Sequence, residues 1–182
     1  MLAAGEALDR CFGGLRDNLS TRDALSHLCR AETTLYSWKH FHIGSMDGVP
    51  AGGVCMVPVD GLGPLVDAVP DVLRLDCRIG ATGLLRLLAR ALRIGFGRGG
   101  DEFPAGGIFM PFGAVFPAHQ GKGVGTAAFL AILEIARAMG GTALCCRPPK
   151  SNVAMMRVLH ALNFEPVPSK RVSAFQVMAL HL

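Results

Sequence analysis

The sequence predicts an α/β fold, an α+β mixed sheet with helices against it, and three observations carry that expectation. After residue 108, short apolar runs with strand character alternate with helical runs. Before residue 60, two strand-like runs lie close enough to form a hairpin. Between these regions, two leucine-rich runs have helical spacing. At 182 residues the chain is long enough for one full core and short for two. One domain over 1–182 is therefore expected, with a helical insert at about 60–104.

Taken in order, "LAAGEALDRCF" and "TRDALSHLCRA" read as short helices, the second capped by Ser20 or Thr21 with Asp23 in its first turn. "TLYSWKHFHIGSM" sets Leu35, Ser37, Lys39 and Phe41 against Tyr36, Trp38, His40 and His42, which is strand alternation. With "DGVPAGG" as a turn and "VCMVPV" as a second strand, residues 35–58 predict a hairpin. "GPLVDAVPDVLRLDC" and "TGLLRLLARALRIGFG" predict helices. The second carries Leu84, Leu88 and Leu92 on one stripe and Arg86, Arg90 and Arg93 on another. "GRGGDEFPAGG" reads as a loop.

"IFMPFGAVF" reads as a strand, and Pro111 and Gly113 inside it imply a bulge or a splayed edge. "GKGVGTAAFLAILEIARAMGG" is a helix, apolar almost all round and so expected to be buried, with Gly140 as its stop. "TALCCR" predicts a strand and "SNVAMMRVLHALN" a helix capped by Ser151 or Asn152. "FEPV" and "VSAFQVMAL" predict the last strands.

With 51% hydrophobic and 18% charged residues, the chain does not have the composition of a disordered one. A net charge of +4 suits an anionic small ligand, while one Trp and one Tyr offer little for stacking bases, so no nucleic acid is expected. The cysteines are Cys11, Cys29, Cys55, Cys77, Cys145 and Cys146. They form no C-x-x-C pair and no zinc-type spacing with histidine, so reduced thiols and no metal are expected. No run is long enough for a membrane span, and no basic segment precedes an apolar one at the start. A cytoplasmic location is the expectation.

The most informative stretch is "HQGKGVG", residues 119–125, where a strand-like run gives way to a helical one. Unpaired N–H groups in a helix's first turn, together with the positive end of its dipole, attract an anion. Glycines let a diphosphate approach the main chain, and Gln120 and Lys122 add side-chain donors. The spacing is not that of a P-loop, and G-x-G-x-G this late in the chain, with no acidic residue after "TALCC", does not suit a dinucleotide fold.

"AVFPAHQGKGVGTAAFLAILEIA" closely resembles the acyl-CoA-binding motif of the GNAT superfamily of N-acetyltransferases. Its V-x-P is Val115-Phe116-Pro117, and its [RQ]-x-x-G-x-[GA] is Gln120 to Gly125. A second signature, an asparagine followed twelve positions later by the phenylalanine of "GF", maps to Asn152 and Phe164, with Asn163 in the glycine's place. The resemblance is specific over 108–168.

It implies a strongly twisted mixed sheet splayed between its fourth and fifth strands, with acetyl-CoA as cosubstrate in the gap. Backbone groups of Ala114, Val115 and Phe116 would hold the pantetheine arm. The segment Gly121, Lys122, Gly123, Val124, Gly125 and Thr126 would hold the diphosphate, with Gln120 beside it and Asn152 on the pantetheine side. The implied activity is acetyl transfer to a primary amine of a small molecule or peptide, by direct attack on the thioester. The implied partners are thus an acyl-CoA and an amine acceptor, and a homodimer is compatible with the reading.

The family's usual acid, a tyrosine five positions before the "GF" phenylalanine, is replaced by Leu159, which leaves the adjacent His160 as the candidate acid, or as a surface or capping histidine. The family's strand glutamate is also absent, which leaves Asp101, Glu102, His40 and His42 as bases, and His119 as a helper beside the diphosphate. The alternative is an acyl-CoA-binding sensor with impaired catalysis. A GNAT subgroup carries a Leu/Arg-rich segment like residues 60–104, either a solvated helix face, a lid over the acceptor, or a basic surface for an acidic partner. The family's first strand has no counterpart in "MLAAGEALDR": the edge is missing, lies upstream of this start, or is filled by another chain.

Overall fold

The computed structural model describes residues 8–9, 11–94, 102–168 and 174–182, with the backbone alone for residues 92–94 and 154. Asp101, the start of the first expected helix, the glycines at 97–100, the beginning of the "VSAFQVMAL" run, and the Leu92 and Arg93 side chains lie outside that description.

The described chain divides into two compact units, one from residues 1–39 and 61–99 and the other from residues 40–60 and 100–182. The first holds helices α1 (Thr21–Arg30), α2 (Leu62–Leu75) and α3 (Ala81–Ile94). Ser20 caps α1: its hydroxyl accepts from Asp23 N at 3.1 Å and donates to Asp23 Oδ2 at 2.6 Å. Phe12 and Tyr36 meet edge to face at 5.4 Å in this unit's core, so the chain's one tyrosine is a packing residue.

Three expectations change in this unit. Residues 34–37 are not strand: Thr34 to Ser37 are buried in succession, tied by Thr34 Oγ1 to Leu28 O at 2.9 Å and by Leu35 N to Leu65 O at 3.1 Å. Trp38 and His40 belong to a short 3-10 turn, so they share no strand face with His42. The arginines of α3 are not a purely solvated face. Arg86 donates to Gly14 O at 3.0 Å, and Arg90 donates to Gly13 O at 2.6 Å and Cys11 O at 3.3 Å.

The second unit is built on a six-stranded mixed sheet of order β1-β2-β3-β4-β6-β5. Its strands are β1 (Phe41–Met46), β2 (Val49–Pro58), β3 (Gly107–Val115), β4 (Ala143–Cys146), β5 (Glu165–Pro166) and β6 (Met178–His181). All neighbours are antiparallel except β3 and β4. The β1–β2 turn is only Asp47-Gly48, both at positive φ, and Val49 already lies in β2, earlier than "DGVPAGG" suggests.

Helices α4 (Val124–Ala138) and α5 (Val153–Ala161) pack against one sheet face. Phe129, Ala136, Leu159 and Phe164 cluster there with Met56, Ile108, Leu144, Cys146 and Met178. α4 is not buried all round, as expected from its composition. Phe129 and Ala136 are its buried residues, and Leu130 is 63% exposed, because only one stripe of the helix faces the sheet. Among the described residues, no helix is long and apolar enough to cross a membrane.

Candidate functional site

The site begins with β3 and the position where its neighbour leaves it. β3 pairs with β4 only over Gly107↔Ala143, Ile108↔Leu144 and Phe109↔Cys145, yet runs on to Val115. From Met110 onward that edge of β3 has no β4 rung. On its other edge β3 stays paired with β2, with one irregularity: Val57 faces Phe109 and Cys55 faces Phe112, so three steps of β3 match two of β2. This is the bulge that Pro111 predicted, because a residue without an N–H cannot hold a regular rung.

Beyond the bulge the two backbones run unusually close. A Cβ on Gly52 would lie 2.5 Å from Ala114 O, so only glycine fits there. Phe116 N donates to Ala51 O at 2.8 Å. Polar groups alternate sides along an antiparallel pair, so Val115 turns its N–H and C=O away from β2, toward the edge that β4 has left. Gln120 reaches back to that carbonyl, its Nε2 donating to Val115 O at 2.9 Å.

A 3-10 turn (Pro117–His119) leads from β3 into the glycine segment. Gly121 and Gly123 hold φ of 74° and 76°, which side-chain-bearing residues rarely adopt. Gly123 is the N-cap of α4 and supplies no capping side chain, so the first-turn N–H groups stand uncapped at the positive end of the dipole. α5 starts differently: Asn152 Oδ1 accepts from Met155 N at 3.1 Å. With that oxygen engaged, a further contact from Asn152 falls to its Nδ2. The loop and the open β3 edge therefore adjoin, both presenting backbone donors, which suits a long ligand with an anionic middle and an amide-bearing arm.

The catalytic candidates are dispersed. Leu159, where the family's tyrosine stands, is 1% exposed in the core beside Phe164, while His160 one step along α5 is exposed. His40 ends the turn before β1, and His119 holds Nδ1 buried with no hydrogen-bond partner among the described residues. Glu102 has the most specific surroundings. The Phe103 and Phe109 rings pack at 4.6 Å, tilted by 44°, and Glu102 Oε2 lies 3.7 Å from Arg147 Nη2. The Arg147 guanidinium in turn sits 5.6 Å from the centre of the Phe175 ring. This group occupies the sheet face opposite α4 and α5. The sequence reading missed Arg147 and Phe175; the one signal was a lone charge after the apolar run "ALCC".

The two strand thiols are not nucleophiles. Burial pushes Cys145 up to about 11 and Cys146 up to about 12, so both stay protonated at neutral pH. No group of three or more His, Cys, Asp or Glu side chains among the described residues could hold a metal ion.

Residues 84–164 match the model of the acetyltransferase (GNAT) family. Among solved structures, an N-acetyltransferase from Staphylococcus aureus Mu50 superposes with a TM-score of 0.67 at 15% identity, over 97% of this chain and 91% of that one. Another, described as an acetyltransferase, gives 0.62 at 16% identity over 100% and 96%. A third, SsHAT, gives 0.58 at 13% over 97% and 92%. These likenesses establish the fold. No curated protein matches the sequence.

Proposed function

We propose that this chain, whose residues 84–164 match the acetyltransferase (GNAT) family model, is an acetyl-CoA-dependent N-acetyltransferase acting on a primary amine of a small molecule or peptide. The observation that carries the proposal is the junction of the unpaired β3 edge with an uncapped, glycine-built helix start. Gly121 to Thr126 would bind the diphosphate through backbone N–H groups, and Lys122 and Gln120 stand beside them. Val115 would offer its N–H to the pantetheine arm, with Ala114 and Phe116 fixing the strand by their pairing to β2. Asn152 would add an amide donor.

Acetyl-CoA supplies an activated thioester; the chain's own residues orient it and prepare the acceptor. An ammonium group has no lone pair, so the acceptor must first give up a proton, and Glu102 is the carboxylate we assign to receive it. The neutral amine then forms a C–N bond at the thioester carbonyl as the C–S bond breaks. A backbone N–H at the open edge would stabilise the charge on the carbonyl oxygen. The nitrogen gives up its second proton as the amide forms, and that proton reaches the departing sulfur through water; an unperturbed thiol pKa of about 8.5 makes the thiolate a stable leaving group, so Leu159 in the tyrosine's place slows this step rather than forbidding it. With both strand thiols protonated, direct transfer is favoured over a cysteine relay.

The test is thiol release from acetyl-CoA across a broad panel of primary amines. Turnover with at least one amine, reduced by Glu102→Gln, supports the proposal. Tight acetyl-CoA binding without turnover on any amine would point instead to an acyl-CoA-binding sensor.

A further inference from the structure

We infer that α3 is a membrane-surface helix: its outer stripe of Leu85, Leu88 and Ala89, bordered by Arg86 and Arg90, docks on a bilayer that contains anionic lipid. The inference stands on the first unit alone and does not depend on the acetyltransferase reading above.

Leucine on two sides of one helix is the first argument. Successive residues of a helix turn by about 100°, so α3 (Ala81–Ile94) spreads its apolar residues over two faces. One face is inside the unit. Gly83 and Leu87 are buried, and a Cβ on Gly83 would overlap Leu15 O, so the helix is pressed against that part of the chain. The other face is open. Leu85 is 67% exposed and Leu88 45%, and Ala81 and Ala89 are exposed beside them. Two leucines one turn apart, continued by alanines, make a stripe rather than scattered apolar residues.

Charge is the second, and it selects the partner. α3 carries Arg86, Arg90 and Arg93 with no acidic residue, and the run from Cys77 to Gly100 holds five arginines without one acid. Arg86 and Arg90 follow the stripe on the flank next to Ala89. Their bonds to Gly14 O, Gly13 O and Cys11 O hold the guanidinium groups in place without neutralising them, because a carbonyl has no formal charge. A guanidinium has five N–H groups, and those that remain suit the phosphate and carboxylate oxygens of lipid headgroups. Fixed cations beside exposed leucine are the pattern of a helix lying in an anionic interface, with leucines toward the acyl chains and arginines at the headgroups. A second copy fits less well, since its α3 brings no acid to meet these arginines. A protein groove also fits less well, since Leu85, Leu88 and Ala89 offer no aromatic anchor. At 14 residues α3 lies on the bilayer and does not cross it.

The experiment floats the full chain with vesicles of phosphatidylcholine alone, or of phosphatidylcholine mixed with phosphatidylserine, at low and high salt. The proteins are the wild type, the double variant Leu85→Gln with Leu88→Gln, and Leu85→Trp. Both leucines are exposed, so the variants should melt near the wild type, which thermal melts check. We expect the wild type to bind phosphatidylserine vesicles at least about tenfold more tightly than phosphatidylcholine and to leave them at high salt. The double variant should lose at least about tenfold in that binding. Leu85→Trp should keep it, with tryptophan emission shifting to the blue on the vesicles as the ring enters the interface. No binding to phosphatidylserine vesicles overturns the inference and leaves this face to an acidic protein. Equal binding to both lipid compositions, or binding unchanged in a folded double variant, overturns it as well.

Discussion

Asn152 is engaged before any ligand arrives, its side-chain oxygen capping α5 at Met155 N. Cap and ligand contact can therefore be separated by mutation. Asn152→Ala should lose about 1 kcal/mol of stability with the cap, as well as acetyl-CoA affinity. Asn152→Asp keeps an oxygen acceptor for the cap but loses the amide donor. It should melt near the wild type while binding acetyl-CoA more weakly; unchanged affinity in calorimetry would confine Asn152 to capping. Cys145 and Cys146 give a second expectation at this scale. Burial raises both thiols from an ordinary 9.0, to about 11 and about 12. A thiol held protonated by folding stabilises fully below its unfolded value, and that contribution falls away as pH rises toward its folded one. Thermal melts should show stability declining above pH 9, less steeply in Cys146→Ala. Iodoacetamide at pH 7.5 should leave both residues unlabelled by mass spectrometry, and fast labelling would contradict their burial.

The elements were legible in unequal degree. The β3 bulge could be read directly, because Pro111 lacks the N–H that a regular rung needs. Asn163 also behaves as its position demands, taking φ of 61° just past α5. The run at residues 34–40 could not be read this way. Its alternation resembled a strand, but the burial of Thr34 to Ser37 comes from partners at Leu28 and Leu65 that no local pattern announces. The exposed side of α4 was equally hidden, since apolar composition does not say which stripe meets the sheet. Phe164, legible as part of a motif, has a packing role as well. It is 1% exposed and meets Phe129 at 5.7 Å, joining α4 to the end of α5. Phe164→Ala should cost about 3–5 kcal/mol in denaturant unfolding, and a loss below 1 kcal/mol would contradict that role. In the first unit, Arg90→Ala should lower stability by about 1 kcal/mol by freeing the Cys11 and Gly13 carbonyls.

For the whole molecule, the glycine loop and Asn152 were written in local sequence, and the cluster around Arg147 was not. Gly121, Gly123 and Asn152 belong to two short motifs whose spacing follows from backbone geometry alone. Glu102, Arg147 and Phe175 come from three separate segments, and only the sheet brings them together. The family match, the fold and the open β3 edge converge on the glycine loop, so the central claim is that this loop and edge seat acetyl-CoA. Calorimetric titration of the wild type and Gly123→Val with acetyl-CoA tests it most directly. Valine at a φ of 76° is strained and places a branched side chain where the diphosphate would approach the backbone. The account predicts saturable binding by the wild type and at least about tenfold weaker binding by the variant, a difference of about 1.4 kcal/mol. No binding by the wild type at millimolar acetyl-CoA, or equal affinity in a folded Gly123→Val, would contradict it.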